Sequence, residues 1–184
     1  MVGRFFFGTC LFLFALAARA EDVPIISGYG AANPDVPELA QYSFFLGEWR
    51  VDMNYFGDDG NWHAVPDPAH VKTFFHADGR TLQTIFTTPG GFFSTDIRSY
   101  DAKAGVWRVQ FLNAKSQRWH SFTSKWEKDK MVTQVPGGFG GDGPDIRSEM
   151  RDISDAGFAS NVFAKRPDGT WLHTYKLNYV RLTK

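Results

Sequence analysis

From residue 49 onward, apolar and polar side chains alternate with a period of two. Trp49, Val51, Met53 and Tyr55 alternate with Arg50, Asp52 and Asn54, the pattern of a half-buried β-strand. Further strand patterns run over residues 70–76, 81–88, 92–100, 106–113, 118–125, 131–135, 146–153, 158–165 and 171–182. Turn clusters separate them: Gly57-Asp58-Asp59-Gly60, Val65-Pro66-Asp67-Pro68, Ala77-Asp78-Gly79, Pro89-Gly90-Gly91, Asp101–Gly105 and Arg166–Thr170. In such clusters Gly supplies positive φ, Pro presets φ, and Asp bonds its own backbone. The total is roughly nine or ten short strands at roughly 8–12-residue spacing. This predicts an all-β fold, either an antiparallel up-and-down barrel or a strongly curved sandwich. Tight consecutive turns favour the barrel, because sequential strands pair and free edges vanish. No helical pattern is long enough for a βαβ crossover.

The first strand is preceded by Phe44-Phe45-Leu46-Gly47-Glu48-Trp49. Asp35 and Pro37 read as a helix start, with Glu38 in the first turn. A short helix is expected over Glu38–Phe45, stopped by Gly47. It would plug one end of the barrel, with Trp49 as a structural floor, so function is expected at the opposite, loop-rich end. Residues 21–37, rich in Pro, Gly, Ala and Asn, read as an irregular leader. Residues 1–20 read as a signal peptide: Arg4, then an apolar stretch, then Ala18-Arg19-Ala20 as the cleavage pattern. That stretch is too short for a spanning helix. The expected division is a signal at 1–20, a leader at 21–37 and one barrel domain at 38–184, in a periplasmic or secreted protein without a membrane span after cleavage.

Composition narrows the picture. The 20 basic residues match the 20 acidic ones, and loss of Arg4 and Arg19 would leave 18 against 20. That balance argues against nucleic acid as a partner, which demands a basic excess. The single cysteine, Cys10, falls inside the signal pattern, so the mature chain lacks thiol chemistry, disulfides and thiolate metal sites. Aromatic residues are 16% of the chain and occur in nearly every strand, which suits strands around an apolar interior.

Four motifs occur in order: Gly47-Glu48-Trp49, Ser99-Tyr100-Asp101 followed by Trp107, Asp168-Gly169-Thr170-Trp171, and Tyr179-Val180-Arg181. Together they resemble the DUF1579-like group of bacterial calycin-type barrels, over about residues 44–182. The resemblance implies a lipocalin- or nitrobindin-like barrel with a central cavity. It implies no reaction, and no motif places a haem-holding histidine.

Candidate chemistry is sparse. His63, His70, His76, His120 and His173 have no metal-binding spacing; His70 and His76 would stand about 20 Å apart along one strand. Neither a metal nor a cofactor is expected. Asp96, Arg98 and Tyr100 share one strand face. Toward a cavity they could fix a carboxylate or carbonyl, Arg98 by a forked contact; toward solvent they would form an ordinary outer face, the more usual place for such residues. With His120 and His173 they are the catalytic candidates. Trp107, Phe111, Trp119, Tyr175 and Phe93 are the candidate ligand-binding rings. The segment Pro136–Pro144 is either a lid carrying Phe139 over the mouth or a plain connection. The expected function is binding of a small hydrophobic or aromatic ligand in the cavity. The alternative is a cofactor-free isomerase, cyclase or lyase using Arg, Tyr and His acid–base groups. Oligomeric state is left open.

Overall fold

The computed structural model describes residues 28–182; the expected signal peptide lies outside them. A 3-10 helix, Pro37–Phe45, is followed by eleven strands. They are β1 (Gly47–Phe56), β2 (Trp62–Ala64), β3 (Ala69–Phe75), β4 (Leu82–Thr87), β5 (Phe93–Asp101) and β6 (Val106–Asn113). Then come β7 (Arg118–Glu127), β8 (Lys130–Val135), β9 (Ile146–Arg151), β10 (Gly157–Lys165) and β11 (Trp171–Arg181). Each of β3–β11 pairs antiparallel with its chain neighbour. β1 pairs with both β3 and β11 and so closes a ten-stranded up-and-down barrel. The closing register sets Trp49 opposite Arg181 and Tyr55 opposite Tyr175.

Two local features differ from the expected pattern. The helix is 3-10, because its apolar residues Leu39, Tyr42 and Phe45 recur every third position. At three residues per turn they stack into one buried row. The short strand β2 was not expected. It pairs with the end of β1, at Asn54–Ala64, and β3 resumes the same side of β1 at Val51–Ala69. Pro66 and Pro68 lie in the gap between them, and neither can donate to a ladder.

The helix closes one end of the barrel. Trp49, Tyr42, Phe45 and Trp107 are wholly buried there, and the rings meet edge to face or stacked: Tyr42–Trp107 at 4.8 Å, Phe45–Phe158 at 5.2 Å, Phe158–Tyr179 at 4.2 Å. Trp49 Nε1 donates to the Phe45 carbonyl at 2.9 Å. Arg181 fastens the assembly. Its guanidinium lies 4.1 Å from the centre of the Trp49 ring and donates to the carbonyls of Leu46, Phe44 and Asp155 at 2.7, 3.1 and 2.7 Å. Gly47 makes room for it, with φ +118° and a position where a Cβ would stand 2.7 Å from Arg181 Nη1. The loops at 88–92, 114–117, 136–145 and 166–170 gather at the other end.

Gly47→Ala should cost about 2–3 kcal/mol through backbone strain and displacement of Arg181. Arg181→Met should cost a similar amount by orphaning carbonyl acceptors. In urea titrations the double variant should fall short of the sum by at least about 0.5 kcal/mol, as expected for groups in contact. Strict additivity would mean that the glycine is not there to admit the arginine.

Candidate functional site

Above the aromatic floor the barrel encloses a cavity of about 500 Å³. Side-chain size along the strands creates it. On β10 the inward residues run Phe158, Ser160, Val162; on β9, Met150, Ser148, Ile146; on β8, Met131, Thr133, Val135. Bulky groups fill the floor level, and small hydroxyl residues leave space at mid-height. Those hydroxyls bond one another: Ser148 to Ser160 at 3.0 Å and Ser124 to Thr133 at 2.8 Å. Apolar side chains including Met53, Phe86, Phe111, Phe122, Ile146 and Leu177 supply most of the remaining wall.

Across from the hydroxyls, β5 turns Ser94, Asp96 and Arg98 inward. Arg98 donates from Nε to Asp96 Oδ1 at 2.6 Å and from Nη2 to Asp96 Oδ2 at 2.7 Å. Two such residues at i and i+2 on one strand face reach each other without help from another element. Both are buried. The guanidinium also lies over the Tyr42 and Phe45 rings, at 4.9 and 5.8 Å from their centres. Burial alone would lower the Arg98 pKa; the charge of Asp96 and contact with the Tyr42 phenol outweigh it and hold the cation above its ordinary value. Burial pushes the Tyr179 phenol well above its usual range, outweighing the opposing charge of Arg98, so it faces the pair uncharged.

The mouth is bordered by the Gly-rich loop at 136–145. Phe139 packs on Phe111 at 5.4 Å and on Phe122 at 6.1 Å, and lines the cavity. His120 Nε2 donates to the Pro136 carbonyl at 2.8 Å, and Arg118 pairs with Asp142 at 3.1 Å. The loop is thus tied across the rim.

Of the five catalytic candidates, Asp96 and Arg98 line the cavity. Tyr100 points into the floor against Trp107, at 5.7 Å, and His120 holds the rim. His173 lies outside the cavity lining, stacked on Phe163 at 4.7 Å and edge-on to Trp62 at 4.9 Å. Burial there, with Lys176 nearby, keeps its pKa below the ordinary histidine value. Of the five ligand-binding candidates, Phe111 and Tyr175 line the cavity. Trp107 is sealed in the floor, its Nε1 donating to Gln41 at 3.1 Å. Phe93 and Trp119 face outward, 38% and 57% exposed: each neighbours an inward residue, Ser94 or His120, and must point the other way. The sequence reading missed the hydroxyl wall of Thr133, Ser148 and Ser160; its one signal is a small polar residue at the middle inward position of three successive strands. No cluster of three His, Cys, Asp or Glu able to hold a metal occurs among the described residues.

Asp96→Asn should cost about 3–5 kcal/mol in urea unfolding, since it leaves a buried cation without its counter-charge. Replacing both partners, as Asp96→Leu with Arg98→Met, should recover most of that loss. A double variant as unstable as Asp96→Asn would mean that the pair is needed as a pair.

No family model matches the sequence, and no curated protein does. Solved structures match in shape. One is the S-type phycobiliprotein lyase CPES from Guillardia theta, at 7% identity and TM-score 0.53, covering 78% of this chain and 92% of that one. Another is Rv2717c from M. tuberculosis, at 11% identity and TM-score 0.54, covering 80% of this chain and 99% of that one. At such identities the likeness is one of fold alone: a closed up-and-down β-barrel of lipocalin-like shape.

Proposed function

We propose that this protein is a periplasmic or secreted barrel that binds a small hydrophobic or aromatic molecule in its cavity. The carrying observation is the cavity itself: about 500 Å³, mostly apolar, with a few polar groups on opposed walls. Pockets of this size and lining suit small ligands, with the apolar surface giving affinity and the polar groups orientation. The shape likeness to other calycin-type barrels agrees with it. The order of motifs from Gly47 to Arg181 supports assigning the chain to the DUF1579-like group. The alternative reading, an isomerase, cyclase or lyase, draws on the lyase among the structural neighbours and on the inward Asp96 and Arg98. Binding is the better supported of the two, because Tyr100 lies in the floor and no histidine lines the cavity among the described residues.

Binding is tested by titrating the fluorescent apolar amine N-phenyl-1-naphthylamine into the protein. Saturable enhancement and a raised Tm are expected. Met53→Trp, which puts a larger ring into the cavity wall, should lower probe affinity by about tenfold, roughly 1.4 kcal/mol, with the far-UV spectrum unchanged. Unaltered affinity in Met53→Trp would place the probe elsewhere.

Export rests on the pattern of residues 1–20. Expression of the full chain in a Gram-negative host should deliver protein to the periplasmic fraction with Glu21 as its first residue. Recovery in the cytosol with Arg4 retained would refute it.

A further inference from the structure

The charge inside the cavity narrows the ligand class, given the binding function proposed above. Asp96 and Arg98 are the only charged side chains lining the cavity among the described residues, and they are spent on each other. Both carboxylate oxygens accept from the guanidinium, through Nε and Nη2. The remaining nitrogen, Nη1, makes no hydrogen bond, but it has next to no accessible surface, so a ligand in the cavity does not reach it without displacing the side chains around it. The forked donor that could grip a ligand carboxylate is therefore already occupied by the protein's own carboxylate. The opposite wall offers only neutral groups. Ser148 and Ser160 form a hydroxyl pair in the lining, and Thr133, also in the lining, is paired with Ser124 behind it. The Ser148–Ser160 pair uses one O–H between its members and leaves the other free to donate into the cavity.

We propose that the cavity selects an uncharged amphiphile, an apolar body carrying a hydroxyl, ketone or amide group, and that Asp96 sets this selectivity. An entering carboxylate gives up its hydration, finds Arg98 engaged and meets Asp96 as a like charge in a low-dielectric space. An entering ammonium meets Arg98 as a like charge in the same way, while the Asp96 charge is already balanced by the guanidinium at both oxygens. A neutral hydroxyl or carbonyl gives up far less on leaving water, and the Ser–Thr wall can replace the hydrogen bonds it loses. Tyr179 from β11 faces the pair as an uncharged phenol, its pKa raised by burial, and adds no counter-charge for an ionic ligand.

Three ligands with the same chain separate the cases: dodecan-1-ol, dodecanoate and dodecylammonium, each displacing N-phenyl-1-naphthylamine at pH 8. The alcohol should compete at least about tenfold better than either ion, the scale of one weakly screened like-charge contact. Lowering the pH toward 5 should narrow the gap for dodecanoate as it becomes protonated. The alcohol's affinity should stay level; it controls for any change in the protein itself over that pH range. In Asp96→Asn, dodecanoate should gain about tenfold and raise the Tm more than it does in the wild type. Should that variant fail to fold, the wild-type ranking and the pH series decide. Dodecanoate or dodecylammonium equalling the alcohol in the wild type overturns the proposal, as does a ranking unmoved in folded Asp96→Asn. If the probe binds and no C12 ligand displaces it, the selectivity proposal alone fails. If the probe itself does not bind, the cavity-binding function fails with it.

Discussion

The contact of Arg181 with Trp49 ties together three things that would otherwise be separate. An up-and-down barrel must bring its first and last strands together, or it is left with two free edges. Here the ladder between β1 and β11 sets Trp49 opposite Arg181. The guanidinium covers the indole and reaches the carbonyls of Phe44 and Leu46 at the end of the plugging helix. Carbonyls at a helix end have no partner within the helix, and a cationic donor satisfies them strongly. Its third bond, to the Asp155 carbonyl, fixes the turn between β9 and β10. Closure, plug and turn thus meet on one side chain, and Gly47 is the backbone gap that admits it.

The floor in turn sets the character of the cavity. Tyr42 and Phe45 belong to the plug, and their rings lie against Arg98. They keep water from the Asp96–Arg98 pair on its lower side. A ten-stranded barrel is wider than its side chains need to fill. The surplus volume collects where the inward residues are Ser160, Ser148 and Thr133 instead of large apolar groups. The same substitution of small for large makes one wall polar, so size and polarity of the cavity have a single cause.

The strands and turns were legible because alternation and Gly/Pro punctuation are local signals. Alternation defines two faces of a strand but does not say which is inside. That choice is ordinarily made by polarity, and on β5 polarity misleads. Ser94, Asp96 and Arg98 face inward, and the apolar Phe93 and Ile97 face out, 38% and 39% exposed. The inversion is affordable because Asp96 and Arg98 neutralise each other two residues apart. Trp119 on β7 follows the same logic, outward beside the inward His120. The helix type was legible in principle from the three-residue spacing of Leu39, Tyr42 and Phe45. The fragment β2 was not: three residues after a turn carry too little periodicity to read.

The Gly-rich loop shows the opposite relation between composition and structure. Pro136–Pro144 reads as a segment without regular structure, and it has none. Yet its glycines serve close packing. A Cβ at Gly137 would stand 2.8 Å from the Gly141 carbonyl oxygen, and one at Gly141 would touch His120 and Arg118 at 3.4 and 3.5 Å. Gly137, Gly138 and Gly141 all take positive φ, which other residues rarely adopt. With Gly137 N–H donating to Asp145 at 3.0 Å and the Gly143 N–H to Gly137 at 2.8 Å, the loop folds back on itself. His120 and Arg118 then tie it to β7. Phe139 is consequently held against Phe111 and Phe122 as part of the mouth wall. The dimensions of the opening depend on β7 as much as on the loop, which links the rim to the same barrel closure that Arg181 secures below.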